Sequence, residues 1–471
     1  SKPFLLRRFM HKFGTIFFLI VVVLATNCWP QDRVQSSQTA RPEKKTKQTE
    51  SSPAGKSQTE PQQIDDYPDP NLIPYRTKKS ALVHLLSVPA KIWHAVWLPL
   101  GATVIFVEQN RIPQKAANFF MNDDFTAGFF PLLSFGGNTG VGAGFTVFHN
   151  NLFDKRKKIR ATFLYSSTES NSMTLSYADS SLFGSAFYFD LTGSYFNDSD
   201  ENLYISPATT LEQFNDSSIA GNRSTEADET SYETEEVGAL AHFGYAISRD
   251  VRLGVVSSFR HANIGNGDGT GGDKFPDAIA GRGQTSLFAI GGTLTFNFSK
   301  GWPRTHAGNL LRVAYTYNRE LGGRRFEFNR FRAEVQQFIA VPFFARNRRL
   351  AVRGVFEKID RLGEKQIPFY ELSLLGDAAN LRGFDQNRFR GRGKVFFNFE
   401  YRYPIWDTWD GVIFLDEGQV YDDLDDLALD EFHGAVGAGI RFMSPSGFLA
   451  RFEVARSNEQ WRALFQIVPN F

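Results

Sequence analysis

The chain has one cysteine, Cys28, and 4 methionines in 471 residues. A lone cysteine excludes an internal disulfide. Charge of one sign is also lacking: 52 Lys and Arg stand against 51 Asp and Glu, so nothing points to nucleic acid and none is expected as a partner. His242, His261, His306 and His433 fall on separate segments without a Ser or carboxylate motif beside them, and a hydrolase needs a positioned triad. The reading is therefore not an enzyme, with no cofactor and no metal assigned. From Gly128 onward no apolar run is long enough for a transmembrane helix. What the chain does have is 47 Phe, 15 Tyr, 7 Trp and 40 Gly, a composition that favours strands. Its mean hydropathy is slightly negative, which by itself reads as soluble. Transmembrane barrels escape that test because lumenal polar residues dilute the lipid-facing ones.

At the N-terminus, Lys2, Arg7, Arg8 and Lys12 precede an apolar run from Phe13 to Ala25. This reads as a signal peptide over 1–28, with Met10 a candidate initiator. Ala25-Thr26-Asn27-Cys28 leaves two outcomes, acylation at Cys28 and simple cleavage nearby; the size of Asn27 favours cleavage. Residues 29–67 are rich in Ser, Gln, Thr, Pro, Lys and Glu and bury too little to order, so they read as a disordered linker. Residues 68–127 read as a short periplasmic or interfacial segment. There the clusters Leu82, Leu85, Leu86 and Ile92, Trp93, Val96, broken by Pro89 and Pro99, suggest short amphipathic helices at a membrane interface or against a barrel base.

From residue 128 to 471, segments of about ten residues alternate with period two. Ile159, Ala161, Phe163 and Tyr165 share one face, and Val436, Ala438, Ile440 and Phe442 oppose Gly437, Gly439 and Arg441. Strands are expected near 128–136, 140–152, 158–169, 172–183, 185–197, 236–248, 250–263, 285–298, 309–320, 326–341, 349–361, 393–404, 411–421, 433–443, 447–456 and 460–471. That is sixteen, the even number a single-chain bacterial barrel requires. The fold class is thus all-β membrane: a 16-stranded antiparallel transmembrane β-barrel with a short N-terminal periplasmic helical segment. Long connections (198–235, 263–284, 362–392 and 422–433) all fall on one side and short ones on the other, which orients the barrel with its long loops outside the cell.

Within the connection 362–392 stands Leu381-Arg382-Gly383-Phe384. A cation between apolar residues, followed by glycine, suits a loop tip that folds back and is gripped. The next strand turns Asn398, Glu400 and Arg402 to the lumen, and the one after it Phe414 and Asp416. Glu400 and Asp416 therefore project inward from adjacent strands, where one guanidinium satisfies both by bidentate hydrogen bonds. Gly383 allows a sharp turn, and Phe384 is expected to cover the ions.

Three pieces in this order, Leu381-Arg382-Gly383-Phe384, Phe399-Glu400-Tyr401-Arg402-Tyr403-Pro404 and Phe414-Leu415-Asp416-Glu417-Gly418, resemble the motifs of the Omp85 superfamily, also called the bacterial surface antigen D15 family. The likeness runs from about Phe129 to Phe471. It implies a sixteen-stranded outer-membrane barrel in a Gram-negative bacterium, with Arg382 as the inward-folded loop arginine, Asp416 its principal partner, Glu400 a second and Gly418 the motif glycine. The chain's end, Phe465, Ile467 and Phe471, is similar to the C-terminal signal by which such barrels are assembled, with Pro469 a departure from it. Nothing between Asp66 and Asp123 has the pattern of a POTRA domain, which resembles the subgroup lacking them.

Two function classes follow. One is an Omp85-like barrel assisting insertion or translocation of proteins or lipids through a weak seam between its first and last strands. The other is a structural or partner-binding barrel, or a gated pore, in which the arginine cluster is a strut. Expected partners are outer-membrane lipid and other outer-membrane or periplasmic proteins. The acidic stretch 198–236 reads as a solvated loop. Gly265 to Asp273, and the cluster Asp422, Asp423, Asp425, Asp426 and Asp430, echo calcium sites without the repeat or the mid-loop glycine these require.

Overall fold

A computed structural model describes residues 119–124, 126–135, 141–167, 169–205, 220–225, 228–268, 275–299, 308–340, 348–405, 409–443 and 448–469. The signal-peptide and linker readings, the interfacial segment before residue 119, and Phe471 lie outside the described residues.

Sixteen antiparallel strands close into a barrel. In chain order they are β1 (Ala127–Phe135), β2 (Val141–Leu152), β3 (Lys157–Ser166), β4 (Asn171–Asp179), β5 (Phe187–Tyr204), β6 (Glu229–Ala246), β7 (Val251–Asn266) and β8 (Gly283–Asn297). The second half comprises β9 (Gly308–Glu320), β10 (Glu327–Ala340), β11 (Arg349–Arg361), β14 (Gly393–Pro404), β15 (Trp409–Tyr421), β16 (His433–Met443), β17 (Phe448–Ser457) and β18 (Trp461–Pro469). Two short strands, β12 (Ser373–Leu375) and β13 (Phe389–Gly391), pair with each other inside the connection from β11 to β14.

Alternation decides which way each strand faces. Phe145, Val147, Phe163, Tyr165, Met173 and Leu175 are exposed on the outside, where hydrocarbon rather than water meets them. Residues between them turn inward, and across the lumenal face Thr146 and Thr162 share a hydrogen bond of 2.9 Å. No helix among the described residues is long and apolar enough to cross a membrane.

Several boundaries differ from the sequence reading. β3 ends at Ser166 and β4 at Asp179, because Glu169 takes a left-handed turn conformation (φ 63°) and Leu182–Gly184 forms a 3-10 turn. More substantially, the acidic stretch is not one solvated loop. β5 runs on to Tyr204 and β6 begins at Glu229, paired through Glu201↔Tyr232 and Leu203↔Thr230. Beyond the bilayer a strand has no lipid face to make apolar, so period-two hydrophobicity vanishes while backbone pairing continues.

These extensions carry a second core. Leu203, Tyr232, Ile264, Phe275, Phe326 and Phe369 are buried together at the long-connection end. Tyr232 and Phe369 meet edge to face at 4.9 Å, a geometry that aromatic quadrupoles favour. A one-turn helix, α1 (Ala220–Arg223), sits against β13 and β15: a Cβ on Gly221 would lie 1.6 Å from the Arg390 carbonyl oxygen. The connections at this end are therefore packed on one another, which fixes the loop between β11 and β14 from above.

Candidate functional site

The loop turns back because its own polar groups are satisfied locally. Asn380 Oδ1 accepts from the Gly376 amide at 2.8 Å, and Asp377 Oδ1 accepts from the Asn380 amide at 2.9 Å. Gly376 takes a φ of 100°, and a Cβ there would lie 2.3 Å from the Asp385 carbonyl oxygen; only glycine fits. Two wall arginines then grip the tip. Arg353 donates to the Ala379 carbonyl at 2.9 Å and Arg451 to the Ala378 carbonyl at 3.1 Å.

Arg382 follows directly, with its side chain 3% exposed. Its Nε and Nη2 donate to the two oxygens of Asp416 at 2.7 and 2.6 Å, a bidentate fork, and its Nη1 donates to Glu400 Oε1 at 2.7 Å. The same Nη1 reaches Glu453 Oε2 at 3.4 Å. Asn398 Nδ2 donates to Asp416 Oδ1 at 2.8 Å and to the Asn380 carbonyl at 2.7 Å, tying strand, carboxylate and loop together. The Arg382 guanidinium carbon lies over the Phe414 ring, 3.5 Å from its centre, a cation–π contact strengthened by burial.

Burial alone would lower the Arg382 pKa. The hydrogen bond to Asp416 and the charges of Asp416, Glu400 and Glu453 outweigh it, and the guanidinium is held above its ordinary value. Two further cations complete the balance. Arg441 donates to Glu400 at 2.8 and 3.0 Å and to Glu453 at 2.8 Å, while Arg402 donates to Glu400 at 2.8 Å. Three carboxylates thus face three guanidiniums, so no charge in the cluster is left uncompensated.

Leu381 and Phe384 point the other way. Both are fully buried with Leu375, Phe389, Phe396 and Val420. Phe384 meets Phe389 at 5.2 Å and His433 at 5.8 Å, so Phe414, not Phe384, covers the ions. Gly383 is needed for close approach: a Cβ would lie 2.7 Å from the Ala435 Cβ, and its carbonyl accepts from Ser457 Oγ at 2.8 Å. Gly418 leaves room for the loop in turn, since a Cβ there would lie 3.2 Å from Leu375 Cδ1. Glu417 shares the outward face of β15 with Ile413 and Leu415, beside Gly434.

Arg441 and Glu453 belong to this cluster and were not singled out by sequence. Their signal was present: both are charged residues at inward positions of neighbouring strands whose outward positions are apolar. Arg388 was also missed. It is fully buried, donates to Glu459 at 2.8 and 3.1 Å and to the Ser224 carbonyl at 2.6 Å, and so joins this loop to the β17–β18 turn and to the β5–β6 connection. The aspartates after β15 hold the turn and a neighbouring arginine: Asp423 caps it against Asp426, and Arg392 Nη2 donates to Asp423 at 3.3 Å. Among the described residues no group of three or more His, Cys, Asp or Glu is arranged to hold a metal.

At the closing edge β1 meets β18 through Leu133↔Ile467, Ser134↔Gln466 and Phe135↔Phe465. Phe465 and Ile467 thus stand at the register positions opposite Phe135 and Leu133.

Sixteen strands closing around a lumen that holds this loop define a transmembrane β-barrel of the outer-membrane type. The chain belongs to the Omp85 superfamily, whose domain model matches residues 151–462. No curated protein matches the sequence. Among solved structures, BamA from Haemophilus ducreyi lacking POTRA domains 1-3 is similar at 14% identity and a TM-score of 0.53, over 73% of this chain and 70% of that one. CdiB from Acinetobacter baumannii matches at 13% identity and a TM-score of 0.45, over 72% and 59%. The likeness to BamA concerns the fold.

Proposed function

We propose that this chain is an outer-membrane barrel that assists the insertion or translocation of proteins or lipids, with its N-terminal segment in the periplasm. Its working edge is the meeting of β1 and β18, and the Arg382 loop keeps the rest of the wall rigid and the lumen closed while that edge opens. The observation that carries this reading is the contrast between the three residue pairs found at β1–β18 among the described residues and a loop held by a buried six-charge cluster on the strands beside it. Strand pairing is the unit of sheet stability, so opening is cheapest at the short edge.

The test is depletion in the native host, with outer-membrane barrel proteins and outer-leaflet lipids quantified over the following generations. A selective fall in either supports the reading. Unchanged levels of both would sink it and leave the second reading, a gated pore, which the loop inside the lumen favours.

A further inference from the structure

The outer wall between β11 and β18 carries a shallow groove of about 710 Å³. Registers define its path. Phe399 faces Leu415, Leu415 faces Val436, Val436 faces Arg456 and Arg456 faces Trp461. A second row runs beside it from Leu350 through Ile413 to Val454. Because barrel strands tilt by roughly 35–45°, a path perpendicular to them climbs the apolar band diagonally. It starts at the first residues of β11 and ends at the β17–β18 turn. Strands about 4.8 Å apart make it on the order of 20 Å long. Ala438 lies at its centre between larger neighbours, and Gly437 and Phe414 also line it.

The groove has a polar end. Arg456 lies on the lipid-facing side of β17, with its guanidinium 5.7 Å from the Trp461 ring centre, and Trp461 is 70% exposed. No carboxylate among the described residues forms an ion pair with Arg456. Glu417, the outward carboxylate on β15, stands one outward position beyond Leu415 towards the long connections and does not line the groove. An arginine facing lipid is costly unless it reaches the interface and an anion, and an aromatic at the same height marks that interface.

An apolar trough ending in one guanidinium at the interface has the chemistry of a single amphiphile. We infer that this wall binds one anionic glycerophospholipid, its phosphate on Arg456 and an acyl chain along the groove. One cation and a trough two rows wide match one phosphate with one or two chains, rather than a multiply acylated, multiply phosphorylated glycolipid. The inference requires only that the barrel span a bilayer; it is independent of insertase activity.

Wild-type protein in nanodiscs of equal phosphatidylglycerol and phosphatidylcholine, taken into detergent and weighed by native mass spectrometry, tests it. Both lipids carry the phosphodiester, but the choline cation of phosphatidylcholine offsets the charge that Arg456 meets, so phosphatidylglycerol should be retained over phosphatidylcholine by about tenfold. Arg456→Gln should abolish that preference, Arg456→Lys should keep most of it, and Ala438→Phe should reduce retention of both lipids. Folding of each variant is checked by heat-modifiable mobility, and Arg456, at the rim, is the substitution least exposed to misfolding. Equal retention by wild type, an unchanged preference in Arg456→Gln, or displacement of phosphatidylglycerol by a phosphorylated glycolipid when both are supplied would each overturn the inference.

Discussion

The wall around Asp416 and the edge between β1 and β18 are made of the same element and held in opposite ways. β14 and β15 pair over twelve residues, from Gly393↔Tyr421 to Pro404↔Asp410, and carry buried charge on their lumenal side. β1 and β18 pair over three among the described residues. The loop spans the difference: Arg382 binds the stiff wall, while Gly383, through Ser457, and Arg388, through Glu459, bind the hairpin that ends in the weak edge. On the proposed reading, a barrel built this way would open at the β1–β18 edge rather than at the wall the loop grips.

The comparison breaks most completely if the edge does not need to open. Cysteines at the register partners Ser134 and Gln466, in a chain whose one natural cysteine is Cys28, should abolish client insertion when oxidised and restore it on reduction. Full activity of the oxidised form, measured as barrel insertion in reconstituted vesicles, would move the working part elsewhere. Next in size is the stiff wall. Asp416→Ala leaves the buried Arg382 guanidinium without its main acceptor and Asn398 with only the Asn380 carbonyl, an expected loss of about 3–5 kcal/mol. Denaturant titration of the folded barrel reads this directly, and single-channel conductance appearing in the same variant would show that the loop also seals the lumen. Gly383→Ala forces a methyl to within 2.7 Å of the Ala435 Cβ, and overpacking of that kind costs about 1–3 kcal/mol. If Gly383→Ala is neutral, the loop is not seated as tightly as the wall it touches.

Most of the barrel was readable because lipid imposes a rule on sequence. Wherever a strand crosses hydrocarbon, as from Ile159 to Tyr165, its outer face must be apolar and period two appears. That rule stops at the membrane surface, and there the reading stopped too: Asp198–Tyr204 and Glu229–Glu235 are strands without an apolar face, and β12–β13 is too short to show a period. Within the site, the spacing of Glu400 and Asp416 on adjacent strands gave their common direction. Arg441 and Glu453 showed the same inward parity, but parity alone does not say at what height two strands face each other. The register Gly439↔Glu453 supplies that, and it follows from shear around the whole barrel rather than from local sequence.

The smallest expected effect isolates what burial contributes. Arg223 and Glu431 form a two-bond fork, 2.8 and 3.4 Å, much like that of Arg382 and Asp416. Their side chains are 66% and 29% exposed against 3% and 0%. Water screens the exposed pair and solvates whichever partner remains, so Arg223→Ala should cost no more than about 1 kcal/mol. Asn222 already anchors the same helix, donating to the Glu431 carbonyl at 3.1 Å and accepting from the Val420 amide at 3.1 Å, which lowers the expectation further. A double-mutant cycle on Arg223 and Glu431, set beside one on Arg382 and Asp416, measures the two couplings on the same scale. Comparable values would mean that the lumenal cluster is solvated like a surface pair, and the stiff wall would lose its physical basis.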